Sequence, residues 1–222
     1  MSALCVSPIK ALVMRLVKLD ACGAPITGES SAVVVADGFI QINPSPQYED
    51  GVEFLQKKAN GSFCVNELDP PELKRVELEI QWCVLDPDAL VIQTGERLLT
   101  TGTPATGTGV AYGEGLITAR YSLEVWQPVS GANACTPGGS QQYVYWAFPN
   151  VGNTRVNDWT FENGVFTYTT MSTTSRASVL WGDGPGSAGP WIESPIEEGE
   201  HFLHNVTTTA PPVSSCGAVL LT

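Results

Sequence analysis

Basic residues are scarce in this chain: 11 Lys and Arg stand against 23 Asp and Glu, for a formal net charge of -12. Phosphate binding draws on clustered cations, so the balance argues against a protein that grips nucleic acid. Histidine is scarcer still, with only His201 and His204. Three residues apart on a strand, they point to opposite faces and cannot chelate one ion together, even with Glu197, Glu198 and Glu200 nearby. No Gly-x-Ser-x-Gly elbow is present. The glycine-rich stretches Gly107-Thr108-Gly109 and Gly182–Gly186 do not lead into a Lys-Ser/Thr helix start, so a phosphate loop is not indicated. No catalytic residue, metal ligand or cofactor is therefore expected.

Long apolar runs are missing too. The stretch Ala11–Val17 is broken by Arg15 and bounded by Lys10 and Lys18, too short and too charged to span a bilayer. No membrane association and no secretory leader are expected, which points to a protein made in a cytosol. The six cysteines (Cys5, Cys22, Cys64, Cys83, Cys135, Cys216) form no CxxC pair. They read as reduced, partly buried thiols rather than zinc ligands or a disulfide framework.

What is present is strand-and-turn composition: 22 Gly, 16 Pro and short runs of Val, Thr and aromatics in 222 residues. The plainest strand is Arg75–Val84. Val76, Leu78, Ile80, Trp82 and Val84 fall on one face, and Arg75, Glu77, Glu79, Gln81 and Cys83 on the other. Ile117–Trp126 alternates likewise, with Ala119, Tyr121, Leu123 and Val125 opposite Thr118, Arg120, Ser122 and Glu124. Further strands are expected near 9–19, 31–35, 39–42, 143–148 and 202–209. Asp86-Pro87-Asp88 leading to Gly95 has an N-cap, a first-turn proline and a C-terminal glycine, which predict one short helix. Asn163-Gly164 predicts a two-residue hairpin turn pairing Trp159 with Tyr168, Thr160 with Thr167, and Phe161 with Phe166. A second hairpin, turning at Asn60-Gly61, is expected between 53–58 and 62–65.

Asn43–Gly51 contains Pro44 and Pro46, and two prolines two apart are incompatible with a central strand, so this segment reads as a loop. Residues 100–115, 131–140 and 181–191 also read as loops. There is no internal repeat and no domain-splitting linker. The expected architecture is a single mainly β domain over residues 1–222, a β-sandwich or barrel-like fold with one short helix, long loops and terminal arms.

Several blocks occur in order along nearly the whole chain. They are Lys18–Pro25, Ala36–Ile40, Lys58–Gly61 leading to Cys64-Val65-Asn66, Trp82–Pro87, Ser122–Trp126, Tyr143–Asn150, Phe161–Gly164, Asn205–Pro212 and Cys216-Gly217. Together they resemble the major tail proteins, or tail tube proteins, of long-tailed siphophages infecting actinobacteria. That resemblance implies a structural virion protein assembled in the host cytoplasm. It implies hexameric rings stacked into a tube that conducts double-stranded DNA without binding it specifically. It also implies contacts with a tape measure protein and a tail terminator, and no catalytic residues.

The resemblance fixes no bore residue individually, but the polar strand faces nominate some. Glu77 and Glu79, about 7 Å apart on one face, are expected to line the lumen, joined by Glu124 and Arg120 from a neighbouring strand. Six copies would carry 6 × (-12) = -72 formal charges, and acidic side chains in the bore would repel DNA. Within the 43–51 loop, Pro44, Pro46, Gln47, exposed Tyr48 and Glu49 are the expected ring-to-ring contact. The rival reading is a carbohydrate- or receptor-binding β-sandwich of a virion, with some of the six tryptophans stacking on sugars.

Overall fold

The computed structural model describes residues 5–29, 32–159, 161, 163–181 and 196–219. Strict alternation makes the strand at the centre of the argument: Val76, Leu78, Ile80 and Trp82 are buried while Arg75, Glu77, Glu79 and Gln81 are half-exposed. Thirteen described strands form, in chain order β1 (Ser7–Pro8), β2 (Val13–Lys18), β3 (Val33–Ala36), β4 (Phe39–Glu49), β5 (Glu53–Lys57), β6 (Phe63–Leu68), β7 (Glu72–Trp82), β8 (Arg97–Thr101), β9 (Thr106–Ala111), β10 (Arg120–Ser130), β11 (Tyr143–Trp159), β12 (Tyr168–Thr174) and β13 (Leu203–Thr207). Nine of these make one antiparallel sheet in the order β3-β2-β10-β11-β12-β7-β4, with β1 against β10 and β13 against β11. β5-β6 and β8-β9 are separate hairpins. The fold is thus mainly β and sandwich- or barrel-like, as the composition predicts.

The sheet curls so that one face encloses the main core. Met14, Leu16, Leu78, Ile80, Trp82, Tyr121, Leu123 and Phe148 meet there, with Phe39 and Ile42 closing from β4. The helix α1 (Pro87–Thr94) plugs the core with Ala89, Leu90 and Ile92. Its ends follow the expected chemistry. Asp86 accepts from the amides of Asp88 (3.0 Å) and Ala89 (3.3 Å), and Gly95 adopts φ 75° at the C-terminus.

Trp159 pairs with Tyr168 as the Asn-Gly turn requires, and their rings stack 5.6 Å apart. The rings of Phe161 and Phe166 lie 6.3 Å apart. Thr160 lies outside the described residues, as does most of the expected 181–191 loop. The hairpin turning at Asn60-Gly61 also forms: the Asn60 Oδ1 accepts from the Ser62 amide (3.1 Å), and Gly61 takes φ 85°.

Other expectations are corrected. Residues 43–51 are not a loop, because β4 continues to Glu49 and pairs with β7 along its length. The prolines are tolerated because β4 is an edge strand: Pro44 and Pro46, two apart, turn their missing N–H to the unpaired side. Residues 100–115 contain the second strand of the β8-β9 hairpin rather than a plain loop, since its threonines suit a ladder and Val110, opposite Leu98, packs against the main core. The strand from Arg75 ends at Trp82, so Val84 is exposed rather than on the core face. All six cysteines are exposed, not partly buried, because they sit in turns, in strand ends and on the β5-β6 hairpin.

The largest departure concerns Glu124. It is fully buried, directly opposite Arg15 on β2. Arg15 Nε and Nη2 donate to its two carboxylate oxygens at 2.5 and 2.7 Å. Tyr145 Oη adds a third hydrogen bond at 2.6 Å, and the guanidinium lies 5.6 Å from the Trp126 ring centroid. Burial works against the charge on Arg15, yet the attraction and hydrogen bonds of Glu124 outweigh it and raise the Arg15 pKa. Burial, reinforced by Glu124, pushes the Tyr145 hydroxyl well above its usual range. A second apolar layer of Leu19, Trp126, Tyr145, Ala147, Ala177, Trp181 and Ile196 lies beside this pair. It covers the outer face of β2, β10 and the first half of β11.

Removing one partner of a buried ion pair leaves the other as an uncompensated charge. Arg15→Met is expected to cost about 3–5 kcal/mol in urea denaturation. Adding Glu124→Gln, which removes that charge and keeps an acceptor for Tyr145, should recover much of the loss. A second expectation concerns His201, whose Nδ1 lies 2.8 Å from Thr174 Oγ1. That hydroxyl accepts from the Val76 amide (2.8 Å) and keeps its own proton to donate when His201 Nδ1 is unprotonated. Burial, then Arg176, lowers the His201 pKa from 6.5. The neutral form is favoured on folding, so its stabilisation is full above the unfolded pKa and lost as pH falls. The melting temperature should drop as the pH is lowered below the ordinary histidine pKa of about 6.5, and His201→Gln should flatten that drop.

Candidate assembly surfaces

Where the second layer stops, the outer face of the sheet is open and polar. Its residues follow from the register. One transverse row runs Asn43, Glu79, Met171, Arg155 across β4, β7, β12 and β11. The next runs Ser45, Glu77, Thr173, Gly152 and on to Arg120 of β10. Glu77 and Glu79 thus share this face, as alternation predicts. Arg120 joins them in the row of Glu77, but three strands away, about 14 Å, not on a neighbouring strand. Glu124, four residues beyond Arg120, is withdrawn from the face by the covering layer and its bond to Arg15.

This face is not uniformly acidic. Arg75 Nη2 lies 3.2 Å from Glu77 Oε1, with both side chains partly exposed. Arg155 and Arg120 add two more cations against Glu77 and Glu79. Nearby, Lys74 donates to Glu49, and that hydrogen bond, with the lysine's charge, holds the Glu49 carboxyl below its usual range. Exposed pairs of this kind contribute little to stability.

A second surface escaped the sequence reading in its extent. Every residue of β5 and β6 is exposed, including Phe54, Leu55, Phe63, Val65 and Leu68. The register explains why the hairpin does not fold back. Leu55, Phe63 and Leu68 share one face and Phe54 and Val65 the other, so packing either face on the body would leave the other's apolar side chains exposed. At its base the chain is tightly constrained: a Cβ on Gly51 would come within 1.9 Å of the Asp69 carbonyl oxygen. The projecting element therefore begins where the expected contact segment ends. Of that segment, Tyr48 is 62% exposed on the edge strand.

A third surface is an apolar groove of about 530 Å³ between the first half of β4 and β10-β11, lined by Ile9, Phe39, Ile42, Pro44, Val125 and Trp146 among others. Phe39–Pro44 line it at one end of β4, whereas the β5-β6 hairpin departs from the other end, about 20 Å away at 3.3 Å per residue.

Among the described residues the tryptophans give little for stacking on sugars; Trp191 lies outside them. Trp82, Trp126 and Trp181 are fully buried, and Trp146 packs against the core. Trp159 is the more accessible one, beside exposed Tyr112 and Phe161. Of the histidines, His204 lies tilted against Trp146, ring centroids 4.8 Å apart, and His201 is buried. Among the described residues, no helix is long and apolar enough to cross a membrane.

No protein-family model matches the chain, and no curated protein matches it in sequence.

Surface substitutions that touch no buried group typically change stability by less than about 0.5 kcal/mol. The double variant Glu77→Gln with Glu79→Gln is expected to stay within that margin by urea denaturation. Glu124→Gln, grouped with them by sequence pattern, should exceed it clearly.

Proposed function

We propose that the chain is a major tail subunit of a long-tailed bacteriophage, building stacked hexameric rings into the tube that conducts the genome. The observation that carries this reading is the β5-β6 hairpin. An isolated two-stranded hairpin is marginal in water, and this one exposes apolar side chains on both faces. A neighbouring copy would cover them. The hairpin and the apolar groove lie at opposite ends of β4, so seating one in the other joins unlike patches. Such heterologous contacts repeat from copy to copy and grow a filament. The ring-to-ring role thus moves from Pro44–Glu49 to the hairpin they lead into.

The open polar face suits the wall of a bore. Glu77 and Glu79 disfavour phosphate, and Arg75 is already engaged by Glu77. A cation held in an ion pair offers less for DNA to grip than a free one. Low adhesion here rests on offset charges rather than on a uniformly acidic wall. Tape measure and tail terminator proteins are the further partners this reading entails, with the virion tail as its location.

The alternative, a receptor- or carbohydrate-binding module, draws on the accessible aromatics Tyr112, Trp159 and Phe161. Retention on host cell wall that is lost in Trp159→Ala would favour it.

Replacing residues 52–68 by a short Gly-Ser turn keeps β4 and β7 intact. This variant is expected to remain folded and soluble but to form no long tubes by negative-stain microscopy and sedimentation. Tubes of wild-type length from it would refute the assignment of the hairpin.

A further inference from the structure

The second half of β11 changes its alternation partway along. Gly152 pairs with Thr173, in the row of Glu77, and Arg155 pairs with Met171, in the row of Glu79. Both positions therefore lie on the open face, although residues three apart on a regular strand face opposite ways. A β-bulge makes the difference: three steps along β11 oppose two along β12. Asn153 sits in the bulge with φ 52°, in the left-handed region that asparagine enters more readily than most side chains. Thr154 turns inward and is fully buried, its hydroxyl 3.3 Å from Tyr121 Oη and 3.0 Å from Ser172 Oγ. Regular pairing would instead put Arg155 opposite buried Thr170, on the core side. The bulge is what turns this guanidinium outward.

A hollow of about 420 Å³ opens beside it, lined by Arg75, Glu77, Asn153, Arg155, Thr173 and Ser175 among others. Unused donors converge there. Asn153 Nδ2 donates to Thr173 Oγ1 (3.1 Å), so that hydroxyl keeps its own proton to give. Arg75 gives Nε and Nη2 to one oxygen of Glu77 (3.3 and 3.2 Å) and keeps its other N–H groups. Among the described residues, Arg155 and Arg120 make no ion pair. Arg120 lines an adjoining hollow that shares Asn153 and Ser175. A Cβ at Gly152 would come 3.7 Å from Arg120 Cγ, so the stem of Arg120 lies against bare backbone. The two acids of that second hollow are held by main-chain amides, Asp20 by Cys22 and Ala24, and Glu96 by Gly113. In a chain of net charge -12, three of the 11 basic residues thus gather round one bulge.

We propose that the hollow at this bulge is an oxyanion site of the phosphate class. Arg155 is its main cation, the free edge of Arg75 its second, and the Thr173 hydroxyl a donor between them. A planar guanidinium takes two oxygens side by side, and a tetrahedral anion keeps further oxygens for the other two donors. Glu77 offsets one of the two guanidiniums, so the site holds its anion weakly and exchanges it. The site is complete within one subunit and does not depend on the tube. The anion is free phosphate or the phosphodiester of a nucleic acid strand. On the tube reading the second would be one recessed contact per subunit.

Isothermal titration of inorganic phosphate into the full-length chain, at fixed ionic strength and against a chloride blank, tests the site. The wild type is expected to give a saturating heat. Arg155→Gln should weaken binding about tenfold, the scale of one charged hydrogen-bonded contact, and Thr173→Val by a smaller factor. Lys57→Gln, on the β5-β6 hairpin, makes the same change in net charge as Arg155→Gln and should bind like the wild type. None of the three positions is buried, and an unchanged melting temperature checks that each variant folds. A short oligothymidylate then names the source. Displacement of phosphate by it, lost in Arg155→Gln, assigns a phosphodiester; saturation by phosphate that the oligonucleotide does not compete with assigns the free anion. Either result supports the site. No saturable heat, or equal weakening by Lys57→Gln and Arg155→Gln, would overturn it. The tube reading would stand in that case, because it is decided separately by whether the chain assembles.

Discussion

The buried contact between Arg15 and Glu124 decides which parts of this sheet face water. A charged pair inside a sheet is stable only when every lone pair and proton finds a partner. Here Glu124 receives two bonds from Arg15 and one from Tyr145. With the charges satisfied, Trp126, Trp181 and Ile196 can close over the outer face of β2 and β10. Beyond the reach of that layer, from Arg120 across to β4, the same face stays open. The boundary between covered and open sheet is thus set by two side chains, and the candidate bore surface is what they leave uncovered.

An open sheet must also manage its margins. This chain handles each differently: prolines withhold donors on β4, the C-terminal segment bonds to the outer groups of β3, and the β5-β6 hairpin carries exposed apolar side chains away from the body. Edge prolines and a covering segment both keep a sheet margin from pairing unspecifically.

What could be read from the sequence was local. The alternation in β7, the cap of α1 and the pairing of Trp159 with Tyr168 each follow from residues within about ten positions of one another. What could not be read was set at a distance. Glu124 sits in a polar-looking alternation whose solvent exposure is cancelled by Arg15, 109 positions away. The one available signal was Arg15 itself, a single cation inside an apolar strand that needs a buried anion. The prolines of β4 excluded a central strand correctly, but whether the alternative is a loop or an edge depends on which strands lie outside it, and that is a property of the whole sheet. Glu77, Glu79 and Arg120 were grouped correctly on one face, although the spacing between their strands could not be inferred from the pattern of either.

The balance of charge on the open face bears on how such a wall could pass DNA. A uniformly acidic wall repels phosphate but also holds a dense layer of cations, which a passing polyanion can recruit. A wall of neutral amides and hydroxyls, on which Arg75, Arg120 and Arg155 are nearly balanced by Glu77 and Glu79 and Arg75 is held by Glu77, offers phosphate only a weak net field. Gln41, Asn43, Ser45, Gln81, Thr169 and Thr173 lie on the same side as that pair by register. Their hydrogen bonds are made as readily with water as with a sugar or phosphate. Little free energy then separates one position of the strand from the next, which is the condition for sliding, and the excess negative charge of the chain is left to lie elsewhere on its surface.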